Sequence, residues 1–250
     1  MKPFYVILIA VLLLAGRQAG FGQNFMNLDF EQAQIVPLSS GYTPTDADDP
    51  ISAASALPYW TVTEDGILCN AVWGEPDALD ETSVALVSTG SSPSPIQGNY
   101  SVQLSSYADA PANLYTSSAI SQMGLIPAGT ESIQFLIVNP SPPFNYPYPY
   151  PGVTCNPVVT LNGTQISLQE TADSGGVMTM VGDVSAFAGT AATLTFSCSA
   201  IEGAAFPADE NYFNLDDIQF SASPVPEPSE LAFAALGGLS FVWRRWRNMA

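Results

Sequence analysis

The stretch Val158-Val159-Thr160-Leu161-Asn162-Gly163-Thr164-Gln165-Ile166-Ser167-Leu168 decides the fold class of this chain. Short runs that favour strands lie on both sides of the dipeptide Asn162-Gly163. Asn-Gly supplies the two positive φ angles of a type I′ turn, which joins antiparallel strands through a minimal loop. The stretch therefore predicts a β-hairpin.

Similar short runs occur on both sides of this hairpin. They are apolar or alternate between apolar and polar residues, and Gly, Pro, Asn and Ser separate them, as is typical of antiparallel sheets. The predicted strands lie at 25–31, 59–63, 83–88, 100–105, 132–139, 157–161, 165–168, 177–181, 192–199 and 212–220. Because no repeat or internal linker interrupts them, we predict one all-β domain, an antiparallel β-sandwich, over residues 24–222.

The charged side chains are distributed unevenly along the chain. Among its 250 residues there are 23 acidic residues, 5 basic residues and no histidine. The basic residues all lie in the terminal segments: Lys2, Arg17, Arg244, Arg245 and Arg247. Because only Glu227 and Glu230 of the acids follow residue 223, the middle of the chain has 21 carboxylates and no cation. This charge excludes nucleic acid as a partner and excludes lysine or histidine catalysis in the domain.

The N-terminus has the features of an export signal. Lys2 precedes an apolar run over 4–15, and Gly20 and Gly22 follow as small residues. An apolar run of roughly 12 residues between a charge and small residues is typical of a signal peptide. The alternative, an uncleaved membrane anchor, is less favoured because a spanning helix needs about 20 apolar residues. We predict a signal peptide over residues 1–23.

The C-terminal segment, 223–250, predicts a short membrane-associated helix. Residues 231–243 are apolar, and Arg244 and Arg245 follow them directly. As a helix this run would span only about 20 Å, less than the hydrocarbon core of a bilayer. The arginines would remain on the cytoplasmic side, with the rest of the protein outside.

The residues before this helix make the C-terminus resemble a known sorting signal. Pro226, Glu227 and Pro228, then the hydrophobic helix, then the Arg244-Arg245 cluster, resemble the PEP-CTERM signal. The resemblance covers only this tail. It implies recognition and cleavage by a membrane protease of the exosortase type, followed by transfer to the cell envelope or extracellular matrix. This signal indicates where the protein is delivered and does not indicate an activity.

The domain itself resembles the jelly-roll, galactose-binding-like domains that include many carbohydrate-binding modules. The resemblance rests on five sequence landmarks in the expected order: 27–31, 57–60, 98–104, 183–189 and 214–218. It implies a jelly-roll fold, and it implies that the first and last strands lie near each other.

Carboxylates at the two ends of the domain suggest a structural Ca²⁺ site. In the domains that this chain resembles, Asp29 and Glu31 would approach Asp216 and Asp217, and Ca²⁺ prefers such oxygen ligands. On strands, Asp29 and Glu31 share a face whereas Asp216 and Asp217 point apart, so we expect Glu31 and Asp217 as the main ligands. The alternative is that some of these side chains face solvent.

Aromatic residues provide the candidate ligand-binding surface. Tyr146, Tyr148 and Tyr150 alternate with prolines, which favours an extended polyproline II segment with exposed rings. Sugars stack on such rings, so these tyrosines could bind polysaccharide. The alternative is a stiff loop whose rings pack back onto the sandwich. Trp73 is a weaker stacking candidate, and Trp60 is predicted to fill the core.

The remaining chemistry is limited. Cys69, Cys155 and Cys198 permit one disulfide, but the pair cannot be chosen, and no cation is available to activate a thiol. No carboxylate pair stands out as catalytic. The sequence therefore favours an exported, non-enzymatic surface protein, either polysaccharide-binding or purely structural. A carboxylate-based glycan hydrolase is the third alternative.

Overall fold

A computed structural model of the chain describes residues 23–38, 50–74, 83–91, 93–109, 114–138, 157–199 and 209–226. Several predictions concern residues outside these ranges. They are the signal helix before Gln23, the C-terminal helix and the positions Tyr146, Tyr148, Tyr150, Cys155, Glu227, Pro228, Arg244 and Arg245. No helix within the described ranges is long and apolar enough to cross a membrane.

The described residues form mostly β-strands. The strands are β1 (Pro50–Ser52), β2 (Thr61–Glu64), β3 (Ile67–Leu68), β4 (Ala71–Trp73), β5 (Val84–Ser88), β6 (Tyr100–Asp109), β7 (Leu114–Tyr115), β8 (Ser117–Leu125), β9 (Ser132–Val138), β10 (Val158–Leu161), β11 (Thr164–Gln165), β12 (Leu168–Ser174), β13 (Val177–Asp183), β14 (Ala191–Ser199) and β15 (Asp209–Ser221). One turn of helix, α1 (Ala53–Ala56), follows β1, and a 3₁₀ turn (Ser185–Phe187) follows β13.

The strands form two sheets. The larger sheet has the order β1-β4-β5-β6-β15-β9-β13-β12, with β7 paired to β6. The smaller sheet has the order β11-β10-β14-β8-β2-β3. Among the strand pairs of the described ranges, β4 and β5 are parallel and the others are antiparallel. This architecture confirms the predicted all-β sandwich.

One apolar core lies between the two sheets. Phe196 of the smaller sheet is fully buried and contacts Phe135 of the larger sheet edge to face, with ring centroids 5.0 Å apart. Trp60 contacts both Phe196 and Phe30, with centroids at 6.4 and 5.8 Å. Edge-to-face aromatic pairs add to the free energy that burial alone provides. The prediction that Trp60 fills the core is confirmed.

The hairpin predicted at Asn162-Gly163 is confirmed, but the predicted strand over 165–168 is wrong beyond Gln165, because β11 ends there and Leu168 begins β12 of the larger sheet. Leu161 pairs with Thr164, so only Asn162 and Gly163 connect β10 to β11. Their φ angles are 50° and 78°, the positive values that a type I′ turn requires.

The predicted strand over 25–31 is wrong, because no residue of this segment lies in a strand and turns occur at Leu28, Asp29 and Glu31. Asn27 and Phe30 have φ angles of 51° and 56°, which are incompatible with an extended strand. Phe25 and Phe30 are nevertheless buried in the core and Leu28 packs against it, so the segment has apolar residues like those of a strand.

This N-terminal segment joins the two sheets. The side chain of Gln122, on β8 of the smaller sheet, accepts a hydrogen bond from the Met26 N–H at 2.6 Å and donates one to the Met26 carbonyl at 2.9 Å. The N–H of Ile218, on β15 of the larger sheet, donates to the Leu28 carbonyl at 3.0 Å. The segment therefore lies beside the last strand, as the jelly-roll resemblance implies.

Candidate functional site

The carboxylate of Glu31 is held by the loop before β6. It accepts hydrogen bonds from the Asn99 N–H at 2.7 Å, the Asn99 side-chain amide at 2.9 Å and the Tyr100 N–H at 3.2 Å. Burial acts to raise the pKa of Glu31, but these three donors outweigh it, and the pKa lies below its usual value. In the described structure, Glu31 therefore connects the N-terminal segment to the start of β6 through hydrogen bonds.

Gly98 makes this contact possible, because its φ angle is +56° and a Cβ there would overlap the Glu31 carboxylate. We expect Gly98→Ala to displace the Glu31 carboxylate. It should lower the free energy of unfolding by about 1–2 kcal/mol more than the same substitution at a glycine with open space around it. Gly129→Ala is a matched control, because Gly129 has a φ angle of +79° and open space around it.

Urea unfolding of the double variant Glu31→Ala, Gly98→Ala checks the cause. If the overlap is the cause, the extra cost of Gly98→Ala disappears once the carboxylate is absent. An equal cost with and without Glu31 would contradict this account.

Asp217 lies at a β-bulge in β15. The register with β9 shifts between Asp216 and Gln219, and Asp217 has a φ angle of 48°. Both of its carboxylate oxygens accept hydrogen bonds from the Gln219 side-chain amide, at 2.7 and 2.8 Å. The bulge adds one residue to β15 between its pairs with Leu136 and Gln134 of β9.

In the described structure, the predicted Ca²⁺ ligands bind separate partners. Asp29 accepts a hydrogen bond from the Glu31 N–H at 3.4 Å, while Glu31 and Asp217 bind the donors given above. Within the described ranges, no group of three or more acidic, histidine or cysteine side chains could hold a metal ion. Ca²⁺ binding by Asp29, Glu31, Asp216 and Asp217 therefore stays a prediction.

A different site lies on the side of the larger sheet that faces away from the core. We call this side the outer face. On β6 and β15 the core-facing residues are Val102, Leu104, Phe213 and Leu215. The residues between them point the other way. We call these outward side chains the polar cluster: Ser101, Gln103, Ser105, Asn214 and Asp216.

All members of the polar cluster are buried, and one of them lacks a partner. Asn214 is only 1% exposed, and its side-chain oxygen accepts a hydrogen bond from the Gln103 amide at 3.2 Å. The Asn214 amide nitrogen has no hydrogen-bond partner. A buried donor without an acceptor is costly and rare in native proteins. It therefore marks a position where a ligand or ordered water could bind.

The Asp216 carboxylate at one end of the polar cluster is well satisfied. It accepts hydrogen bonds from the Gln97 N–H at 2.9 Å, the Ser101 hydroxyl at 2.8 Å and the Asp217 N–H at 2.7 Å. Burial nevertheless raises the pKa of Asp216 to about 6, and the charge of Asp217 acts in the same direction. No cation opposes this effect, because the middle of the chain contains none.

Trp73 belongs to the same row of side chains as Asn214. Trp73 pairs with Ala85 across β4 and β5, Ala85 pairs with Gln103, and Gln103 pairs with Asn214. Val72 beside it is in the core, so Trp73 points to the outer face. Trp73 is half-buried, and it therefore gives the row one end that reaches solvent.

Trp73 and Asp216 were predicted as site residues from the sequence, whereas Gln103 and Asn214 were not. Along β6 a polar residue alternates with each core residue, and such alternation normally indicates a solvent-facing side. No local signal separates these buried amides from solvent-facing ones, because the whole region between residues 18 and 223 lacks Lys and Arg.

A separate apolar cleft of about 360 Å³ lies beside β2 and β3. Leu38, Val62, Leu68, Cys69 and Trp60 are among its lining residues. Burial and the nearby Glu64 charge raise the pKa of the Cys69 thiol, so little thiolate forms at neutral pH. Cys69 and Cys198 are both thiols in the structure.

Comparison with known proteins gives few matches. No family model matches the chain, and no curated protein matches it. A structure of the carbohydrate-binding module TmCBM61 in complex with β-1,4-galactotriose is similar, with 15% identity, 80% coverage of this chain, 97% coverage of that chain and a TM-score of 0.35. A GH31 α-xylosidase from Xanthomonas citri is also similar, with 10% identity, coverage of 80% and 23% respectively, and a TM-score of 0.19. At such low TM-scores, neither similarity supports a conclusion about the ligand of this chain.

Proposed function

We propose that the protein is an exported, non-enzymatic surface protein whose β-sandwich binds polysaccharide at the outer face of the larger sheet. The observation that carries this proposal is the unpartnered, buried Asn214 amide in one row with Trp73. Sugar hydroxyls accept hydrogen bonds from amides, and the C–H faces of sugars stack on aromatic rings. The row offers both kinds of contact.

Because the polar cluster is buried, a sugar cannot reach it in the structure as described. Asn214 and Gln103 are 1% and 4% exposed, so a ligand reaches them only after a local opening. Association that requires such a change is slower than simple docking. Trp73, at the more accessible end of the row, would make the first contact.

The same cluster argues against hydrolysis. Glycoside hydrolases use two carboxyl groups placed on either side of the scissile bond. Among the five side chains of the polar cluster, only Asp216 carries a carboxyl group. Asp217, the next residue along β15, directs its carboxylate to Gln219 instead.

Replacing Trp73 by alanine tests the proposed binding surface. We expect the full chain to be retarded in native gels that contain a neutral polysaccharide, tested with hydroxyethyl cellulose, dextran and galactan. Trp73→Ala should weaken the retardation about tenfold, because it removes the stacking contact. Met123→Ala is the control, since Met123 is 69% exposed and lies on the other sheet.

Two results would count against this proposal. If neither variant changes the retardation, the polysaccharide binds elsewhere on the protein. If no polysaccharide retards the unmodified protein, the alternative of a purely structural surface protein is favoured.

The proposed destination rests on the two terminal signals. Pro226 is the last described residue, and Glu227, Pro228, Arg244 and Arg245 follow it in the sequence. We expect replacement of Pro226, Glu227 and Pro228 by alanine to abolish recognition by an exosortase-type protease. Fractionation of cells should then show the longer, unprocessed chain in the membrane, whereas unchanged processing would contradict the proposed sorting.

A further inference from the structure

We propose that Asn162 is a modification site in the folded protein: its side-chain amide is lost through a cyclic imide formed with Gly163, which leaves aspartate and isoaspartate. This modification does not depend on the proposed polysaccharide binding. Asn162-Gly163 is the one Asn-Gly dipeptide in the sequence. Both residues are exposed, and the space around the Gly163 α-carbon is open.

The reaction requires only these two residues and water. The backbone nitrogen of Gly163, after losing its proton, attacks the side-chain carbonyl carbon of Asn162, and a new C–N bond forms. The bond from that carbon to Nδ2 then breaks, and ammonia leaves with the proton. Water opens the five-membered imide at either carbonyl, which gives aspartate or isoaspartate. A glycine favours the attack, because it has no Cβ to crowd the reacting atoms.

The turn is one peptide flip away from the geometry that this reaction needs. Ring closure brings the Gly163 nitrogen into line with the Asn162 Cβ, which occurs at a ψ angle of about −120°, as in a type II′ turn. A type I′ turn has a ψ of about +30° at this position but the same positive φ, and the φ angle of Asn162 is already 50°. Both turn types connect antiparallel strands through two residues, so the flip preserves the pairing of Leu161 with Thr164.

Two hydrogen bonds to β14 oppose the flip. The Asn162 N–H donates to the Thr193 carbonyl at 2.9 Å, and the Thr193 N–H donates to the Asn162 side-chain oxygen at 2.9 Å. Ring closure turns this side-chain oxygen away from Thr193. The native turn therefore reacts more slowly than an unfolded chain does. Because β11 is a short, exposed strand at the edge of its sheet, a local opening is sufficient for the reaction.

The opposite edge of the smaller sheet contains the same turn with aspartate in place of asparagine. Asp65 and Gly66 connect β2 to β3, with φ angles of 51° and 75°. The Asp65 N–H donates to the Ser117 carbonyl at 2.8 Å, and the Ser117 N–H donates to the Asp65 carboxylate at 2.7 Å. The aspartate product should therefore fit the turn at position 162. Isoaspartate adds a methylene group to the backbone, which should disturb the register of β10 and β11.

The test is a time course on the full chain in mildly alkaline buffer, which favours loss of the Gly163 peptide proton. Because no lysine or arginine lies between residues 18 and 243, the chain is cut with chymotrypsin and not with trypsin. Mass spectrometry then locates deamidation, and a protein isoaspartyl methyltransferase measures isoaspartate. We expect deamidation at Asn162 and none at Asn99, whose side-chain amide donates to Glu31 at 2.9 Å.

Urea below the unfolding transition distinguishes a local opening from global unfolding. A local opening exposes little surface, so the rate at Asn162 should change less than about twofold over this range. If global unfolding were required, the logarithm of the rate would rise linearly with the urea concentration, and this result would overturn the proposal. Reaction in the urea-unfolded chain with no reaction in the folded chain would overturn it as well.

Asp65→Asn is the matched variant, because it places a second Asn-Gly dipeptide in a turn with the same φ angles and the same pair of backbone partners. We expect it to deamidate at position 65 within about threefold of the rate at Asn162. Asn162→Asp should release no ammonia from its turn and should keep its thermal midpoint, whereas the isoaspartate form, separated by chromatography, should unfold at a lower temperature. A folded Asp65→Asn variant that does not react at position 65 would contradict the role given to the turn.

Discussion

Replacing Phe196 by alanine is expected to lower the free energy of unfolding by about 4 kcal/mol. Phe196 is fully buried on β14, and it contacts Phe135 across the sandwich and Trp60 beside it. Alanine would leave a cavity between the two sheets and would remove both edge-to-face contacts. The measurement is equilibrium unfolding in urea, followed by tryptophan fluorescence and circular dichroism.

Met123→Ala is the matched control for this prediction. Met123 lies on β8, which pairs directly with β14, but the residue is 69% exposed. Its loss should change the free energy of unfolding by less than about 0.5 kcal/mol. A similar small effect for Phe196→Ala would contradict the placement of the core between the sheets.

The protein is expected to become more stable as the pH falls from 7 to 4, and Asp216 is expected to account for much of this change. The pKa of Asp216 is raised from 3.8 to about 6 in the folded protein, so the folded state binds this proton more tightly than the unfolded state. Its contribution is therefore fully present below the unfolded pKa and is lost as the pH rises through 6. A shift of this size corresponds to stability on the order of 3 kcal/mol.

Asp216→Asn separates this effect from the general relief of charge repulsion at low pH. The net charge of −18 makes any folded form of this chain gain from protonation, and that gain remains in the variant. Urea unfolding between pH 4 and 7.5 should show a smaller gain in Asp216→Asn than in the unmodified protein.

Asp183→Asn is the control, because the pKa of Asp183 is shifted in the opposite direction to that of Asp216. Asp183 is exposed and accepts a hydrogen bond from the Ser185 N–H at 2.9 Å, and donors from Ser185 lower its pKa. Its replacement should not reduce the gain at low pH. Equal pH profiles for Asp216→Asn and the unmodified protein would show that Asp216 is not the buried titrating group.

Most of the strands could be predicted because their core residues alternate with polar ones. The short strands β1, β3, β4 and β7 and nearly all of β12 were not predicted. The longest strand without a counterpart among the predicted ones is β8, at the centre of the smaller sheet. Its inward-facing positions include Ser118, Gln122 and Gly124, so the apolar alternation is absent. Gln122 binds the backbone of Met26, and Gly124 leaves room for the Phe25 ring, whose nearest atom would be 2.6 Å from an added Cβ. Gln122 and Gly124 are thus required by contacts with the distant N-terminal segment, and the sequence around β8 shows no pattern that indicates them.

The site could be predicted only in part for a similar reason. The sequence identified Trp73 as a stacking candidate and Asp216 as an important carboxylate, but it assigned Asp216 to a metal site. Strand pairing brings Asp216 beside Ser101 and Asn214 beside Gln103. Such pairs form between residues more than 100 positions apart in the chain. They are determined by the register between β6 and β15, which the local composition does not reveal.

The most direct test of the central claim is amide hydrogen exchange of the full chain with and without a neutral polysaccharide that retards it. Binding at the outer face should slow exchange in β6 and β15, over residues 100–105 and 212–216, and in β4 near Trp73. Unchanged exchange in these strands, with slowing confined to the segments that line the apolar cleft beside β2 and β3, would contradict the proposed site.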